Sequence, residues 1–180
     1  VNYLRDDIGK VVAAMRTDED LDGALPIELK GLAPFYLYGH KLEVANRLAI
    51  KNNDAVYKEQ KYPLVALFMD YPERFVEGMV NYTLHIVIMN LTDRNYLMEE
   101  RDEKIFKPIL YPLFDSFMIR LRRVGKFVWP GDMQYPPMNK VDRPYSGIVY
   151  EQGNLKYIFN DRLDAIEISD LKISRTINKC

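Results

Sequence analysis

Two apolar runs, Tyr62–Met69 and Tyr82–Met89, flank a polar interruption that carries Asp70, Pro72, Glu73 and Arg74. Each run is too short for a buried helix, rich in β-formers and bounded by proline or asparagine, which predicts two central strands of one sheet. In the second run Tyr82, Leu84, Ile86 and Ile88 alternate with Thr83, His85, Val87 and Met89. Both sets are largely apolar, so this strand is expected to be covered on both faces. A third strand is predicted over Ala165–Ile173, where the apolar positions switch parity between Ile168 and Leu171. Such a switch implies an extra residue, a bulge near Ser169-Asp170.

Helical spacing appears in three places. Leu4, Ile8, Val11, Val12 and Met15 form one stripe among charged residues. After the apolar lead-in Pro34–His40, which is stopped by Gly39, the positions Leu42, Ala45, Leu48 and Ala49 predict a helix that runs to Lys51. The widest stripe runs from Ile105 to Leu121 and includes Phe114 and Phe117. Pro108 and Pro112 interrupt it, and a proline inside a helix removes a backbone bond, so a break or bend is expected between Lys107 and Pro112. Ile148-Val149-Tyr150 and Leu155-Lys156-Tyr157 flank Gln152-Gly153-Asn154 as a hairpin. The elements predict a single α+β domain over 1–180, a mainly antiparallel sheet of about four strands with helices packed on it.

Between these elements lies a Pro-rich extended loop at about 126–147, punctuated by Pro130, Pro136, Pro137 and Pro144. Long ordered loops in compact domains usually have a task. The reading favoured here is an interaction arm in which Trp129, Tyr135 and Tyr145 supply apolar anchor area and Met133 and Met138 adaptable contacts. The alternative is a loop folded back over its own domain with Trp129 capping the core.

Lysine and arginine number 25 against 26 acidic residues, so the chain lacks the basic surplus of a dedicated nucleic-acid binder. The single cysteine, Cys180, gives no disulfide framework and points to a reducing compartment. No apolar run approaches membrane-spanning length and no targeting segment is read. The acidic stretch Asp18–Asp22 lacks the twelfth-position glutamate of a calcium loop, since Leu29 stands there, and is read as solvated. His40 and His85 lie in different elements without metal-ligand spacing, so neither metal nor cofactor is expected. Arg120, Arg122 and Arg123 are read as the solvated cationic end of a helix.

One enzymatic alternative uses Asp70 and Glu73 as magnesium ligands of a metal-dependent nuclease or phosphodiesterase. Glu59-x-Lys61 is similar to the Glu-x-Lys of one nuclease family, but that family places an aspartate on a preceding adjacent strand, and only helix and loop are predicted there. General acid–base work needs positioned partners that the sequence does not display.

A different resemblance covers roughly residues 35–173. The stretches Tyr36–Val44, Lys61–Leu67 with Asp70-Tyr71-Pro72-Glu73, Phe106–Pro112 and Asn160–Ile168 resemble segments of uncharacterised phage proteins of Bacteroidetes hosts that occur in structural gene clusters, including those of crAss-like phages. The element order is similar to that of tail-terminator and head-to-tail connector proteins. The resemblance implies a tail-terminator-like fold without catalytic residues. It implies a non-enzymatic virion protein of the neck or tail, assembled in the host cytoplasm. The implied partners are a homo-oligomeric ring of six or twelve copies and adjacent portal, neck or tail ring proteins. Such a ring has a lumen in which DNA could be touched, and no membrane contact.

Overall fold

The structure is a computed structural model that describes residues 3–15, 33–52, 61–131, 133–145, 148–151 and 154–176. The acidic stretch Asp18–Asp22, the Glu59 of the nuclease-like motif and the hairpin tip at Gln152-Gly153 lie outside the described residues.

The first helix, α1, spans Leu4–Ala14 and buries the predicted stripe. Asp6 and Asp7 sit in its first turn, where carboxylates favour the helix dipole. The apolar lead-in that follows is a strand, β1 (Phe35–Gly39), joined through α2 (Lys41–Asn52) to β2 (Leu64–Phe68). β1 pairs with β2 in parallel, Phe35 opposite Leu64 and Gly39 opposite Phe68, which makes a βαβ unit. Gly39 permits the turn into α2, because its φ is +146° and a Cβ there would lie 2.6 Å from the Glu43 carboxylate.

β3 (Glu73–Val76) and β4 (Met79–Leu91) form a hairpin. Its two turn residues, Glu77 and Gly78, have φ of 47° and 79°, the positive-φ pair that matches strand twist. β2 and β3 lie end to end along one edge of β4, pairing with His85–Met89 and Met79–Tyr82 respectively. The opposite edge of β4 pairs along its whole length with β8 (Leu163–Thr176), and β8 in turn pairs with β5 (Asn139–Tyr145). β6 (Ile148–Glu151) and β7 (Asn154–Tyr157) form the separate predicted hairpin. The sheet therefore has six strands in the order β1-β2-β4-β8-β5, with β3 on β4. One expectation is corrected here: the sheet has six strands, not about four. It is mainly antiparallel, as expected, and the single parallel pair β1–β2 makes it mixed.

The predicted bulge is present. Leu84 pairs with Leu171 and Ile86 with Ile168, so Ser169 and Asp170 together face His85, and Asp170 takes a φ of 52°.

The strongest helical stripe extends further than predicted and is unbroken. α3 (Met98–Arg101) passes into a π-helical stretch (Asp102–Leu110) and then α4 (Tyr111–Arg123). The Tyr111 N–H reaches back five residues to the Phe106 carbonyl. Pro108 falls inside this widened stretch and Pro112 in the first turn of α4, so neither missing N–H interrupts a regular α ladder. The expected break is thus replaced by a change of helical pitch.

One face of the sheet (Val65, Leu67, Leu84, Ile86, Ile168 and Leu171 among others) packs against α1 and the long helix. The other face (Leu64, Ala66, Phe68, Val87, Met89 and Ala165) packs against Val44, Ala45 and Leu48 of α2. Leu42 is exposed, so the buried stripe of α2 starts at Val44. Phe117 is fully buried between the long helix and the sheet. Replacing it with alanine is expected to lower unfolding free energy by ~3–5 kcal/mol. Phe75→Ala at the exposed hairpin should change it by less than ~0.5 kcal/mol, both read from denaturant titrations.

Candidate interaction surface

The chain between α4 and β5 returns along its own sheet. Val128 exchanges backbone bonds with Ser174 (2.9 and 2.8 Å), and the Lys172 N–H donates to the Pro137 carbonyl at 2.9 Å. These contacts occupy the edge of β8 that β5 leaves open. Regular structure then begins at Asn139, within the stretch expected to be loop. β5 is an edge strand, the one place in a sheet where Pro144 is tolerated.

The five residues expected at a partner interface have separate fates. Trp129 is buried in the core on the helix side, donates its indole N–H to the Met133 carbonyl at 2.9 Å and lies under the Arg122 guanidinium. Tyr145 is buried in the other core cluster against Phe159. Burial pushes its phenol up to about 12. Tyr135 packs on Phe114 and donates to the Asp115 carboxylate at 2.9 Å, and Met138 is half-buried against the same core. Only Met133, 55% exposed, is open to solvent. The correction is that the aromatic anchors serve this domain's own packing. An aromatic surrounded by polar residues and prolines reads as loop in sequence because its partners lie far along the chain.

A polar cluster occupies the α2 side of the sheet, beside the start of α2. The His85 Nε2 stands 2.8 Å from Glu167 Oε1, and Arg143 donates to the other carboxylate oxygen. Phe68 meets the imidazole edge-on, and Lys41 lies over the Phe68 ring. Burial, followed by the Lys41 and Arg143 cations, pushes the imidazole down to about 4. Asp170 opposes that shift without overturning it, and the neutral imidazole donates its Nε2–H to the Glu167 carboxylate. Burial also lowers the Lys41 ammonium, with Arg143 adding to the effect. His85, Glu167 and Arg143 thus form one connected polar network on this sheet face.

Asp70 and Glu73, the residues of the enzymatic alternative, are both exposed. Among the described residues no group of three His, Cys, Asp or Glu side chains could hold a metal ion. A strand does precede Lys61 beside β2, contrary to expectation, but Phe35–Gly39 carries no carboxylate. Lys61 itself is buried and bonded to Asp161 at 2.9 Å, with the Tyr62 hydroxyl donating to the same oxygen. Arg120 is also corrected. It is fully buried, with Nε donating to the Ala14 carbonyl at 2.9 Å and Nη1 to Ser116.

Two exposed apolar groups were missed in the sequence. Phe75 and Val76 project at the β3–β4 hairpin, and Leu97 and Met98 at the start of the long helix. Their signal was available only once β3 and the helix start were placed. Beside Met98 an open cleft of about 300 Å³ is lined by Glu99, Asp102, Phe106, Tyr111 and Asp142. Tyr111 donates to Asp142 at 3.0 Å, and burial together with this bond raises its phenol to about 12. Among the described residues no helix is long and apolar enough to cross a membrane. Comparison with known protein families, curated proteins and solved structures finds no match for this chain.

Two outcomes follow from these positions. Because folding lowers the His85 pKa from an unfolded value near 6.5, stability is unaffected above that pH and is lost as pH falls towards 4. The loss is expected to be ~2 kcal/mol after allowing for solvent screening. A His85→Asn variant should show a flatter stability profile between these limits in denaturant titrations. Trp129→Ala should cost ~3–5 kcal/mol of stability, where a solvent-exposed arm residue would cost almost nothing.

Proposed function

We propose that the chain is a structural subunit of a ring in the head-to-tail connector or tail terminator of a tailed bacteriophage, working through protein contacts rather than catalysis. The reading starts from the sequence resemblance described above. The observation that carries it is that, among the exposed large apolar side chains, two groups stand at the two ends of the long strand. Phe75 and Val76 stand at the hairpin where β4 begins, while Leu91, Leu97 and Met98 stand where it ends. β4 is 13 residues long, which separates the two groups by roughly 40 Å. A subunit with apolar contacts at both poles of its long axis suits a stack, meeting one neighbour above and another below. The buried Asp7, Lys61 and Asp164 are tied into ion pairs and Arg120 into hydrogen bonds, which join elements between those poles. In this reading the subunits close into a ring of six or twelve, meet portal, neck or tail rings at the poles, and leave a lumen for DNA.

The test is incorporation. An epitope-tagged chain expressed during phage production should copurify with mature particles and label the neck or tail in electron micrographs. Replacing Phe75 and Met98 by serine should leave the subunit folded and reduce incorporation at least ~10-fold, as for loss of interface anchors. A tagged chain that is abundant in the lysate and absent from particles refutes the reading.

A further inference from the structure

We propose that the outer edge of β5 pairs antiparallel with the same edge of a second copy, around a two-fold axis through Val141. Among the described residues no strand pairs with that edge, and every β5 residue except Tyr145 is exposed. Backbone groups on a free edge are a template for another strand, and natural edges carry charges that exclude wrong partners. The order of charges on this edge fits itself. With Val141 opposite Val141, Lys140 of each copy faces Asp142 of the other, and Arg143 faces Asn139. Shifting the register by two residues would put Asp142 against Asp142 or Lys140 against Lys140, so the sequence selects one alignment. Pro144 has no N–H to offer and limits the ladder to the segment centred on Val141.

The cleft beside this edge fits the same partner. Lys140 already bonds Asp142 of its own chain at 2.5 Å and lies over the Tyr111 ring. In the pair, Lys140 of the second copy reaches Asp142 at the cleft mouth, where Glu99, Asp102, Phe106 and Tyr111 present carboxylates and aromatic rings. That lining suits an ammonium group. On the opposite sheet face the exposed Val141 side chains meet each other. The isologous contact is small, so association is weak and concentration-dependent. It belongs to the free subunit and does not rest on the ring reading.

The experiment is sedimentation of the full chain from about 10 μM to 1 mM, the range for a small interface. The wild type should pass from monomer to dimer. Lys140→Asp and Asp142→Lys should each weaken dimerisation at least ~10-fold, and the double variant, which restores the facing charges, should recover it. Circular dichroism checks that each variant is folded. Independently of stability, Val141→Cys in a Cys180→Ser background should form a disulfide-linked dimer on mild oxidation, while cysteine at Met133 should not. A wild type that stays monomeric throughout, single reversals that dimerise normally, or a double reversal that does not recover would each overturn the pairing.

Discussion

The structure depends on the pairing of β4 with β8, and that pairing depends on one bulge. Side chains alternate along a strand, so an uninterrupted ladder would carry Leu171 and Ile173 to the face opposite Ile166 and Ile168. Setting Ser169 and Asp170 together against His85 reverses the parity. All four apolar residues then reach the core under α1 and the long helix. The same shift places Lys172 and Ser174 on the other face, beyond the reach of α2, where water is available. It also leaves His85 in the register that faces Phe68 and within reach of Glu167. A single local irregularity thus keeps one sheet face apolar along the whole of β8 and leaves the far half of the other face polar. Removing it would expose two large apolar side chains and bury Lys172 in their place.

The buried ionic groups tie together elements that are distant in sequence. Asp7 in α1 bonds Arg175 near the end of β8, and Arg101 in α3 bonds the fully buried Asp164 at the start of β8. Lys61 before β2 meets Asp161 before β8. Burial alone would raise the Asp7 carboxyl, but Arg175 and Lys10 outweigh it and hold the group below its ordinary value. Such pairs are weak evidence of net stability, because desolvation offsets most of the attraction. Breaking one leaves a charge without its partner, however, so they penalise alternative packings more than they favour the native one. Arg120 does related work without a carboxylate. Its guanidinium donates to the carbonyl of Ala14, at the negative end of the α1 dipole, and thereby fixes the angle between α1 and α4.

What could be read in the sequence was what repeats locally. The alternation through Tyr82–Met89, the stripe of α1 and the parity switch at Ser169-Asp170 each depend on residues a few positions apart, and the structure has all three. The failures were of other kinds. β1 is five residues ending in glycine, too short for a period to emerge, and only its parallel neighbour β2 makes it a strand. β3 is exposed throughout, and its four residues, Glu73 to Val76, show no alternation of apolar and polar positions. β5 contains a proline that argues against a strand unless the strand is known to lie at an edge. Arg120 looked solvated because its neighbours Arg122 and Arg123 are, yet the helix turns it inward towards α1. The fate of Trp129 and Tyr145 was likewise set by long-range contacts, so the candidate surface was less legible than the fold.

The two edges of the sheet differ in a way that bears on assembly. At one end, β1 is flanked by rings: Tyr36 donates to the Arg5 carbonyl at 2.8 Å, and Arg5 and Arg47 both stack on Tyr38. These contacts brace the edge strand against α1 and α2. At the other end, β5 holds on through β8 and a few side-chain bonds to the long helix, notably Tyr111 to Asp142. Side chains that brace one edge are thus matched at the other by charges of alternating sign and an acidic, aromatic cleft. A sheet built this way resists indiscriminate extension from both ends, because one edge is braced and the other accepts only a strand with the right charge order. Exposed apolar side chains also stand at both poles of β4, Phe75 and Val76 at one and Leu91, Leu97 and Met98 at the other, away from either edge. The edges and the poles thus differ in chemistry, backbone groups and charges at one and apolar side chains at the other, while the core between them is shared.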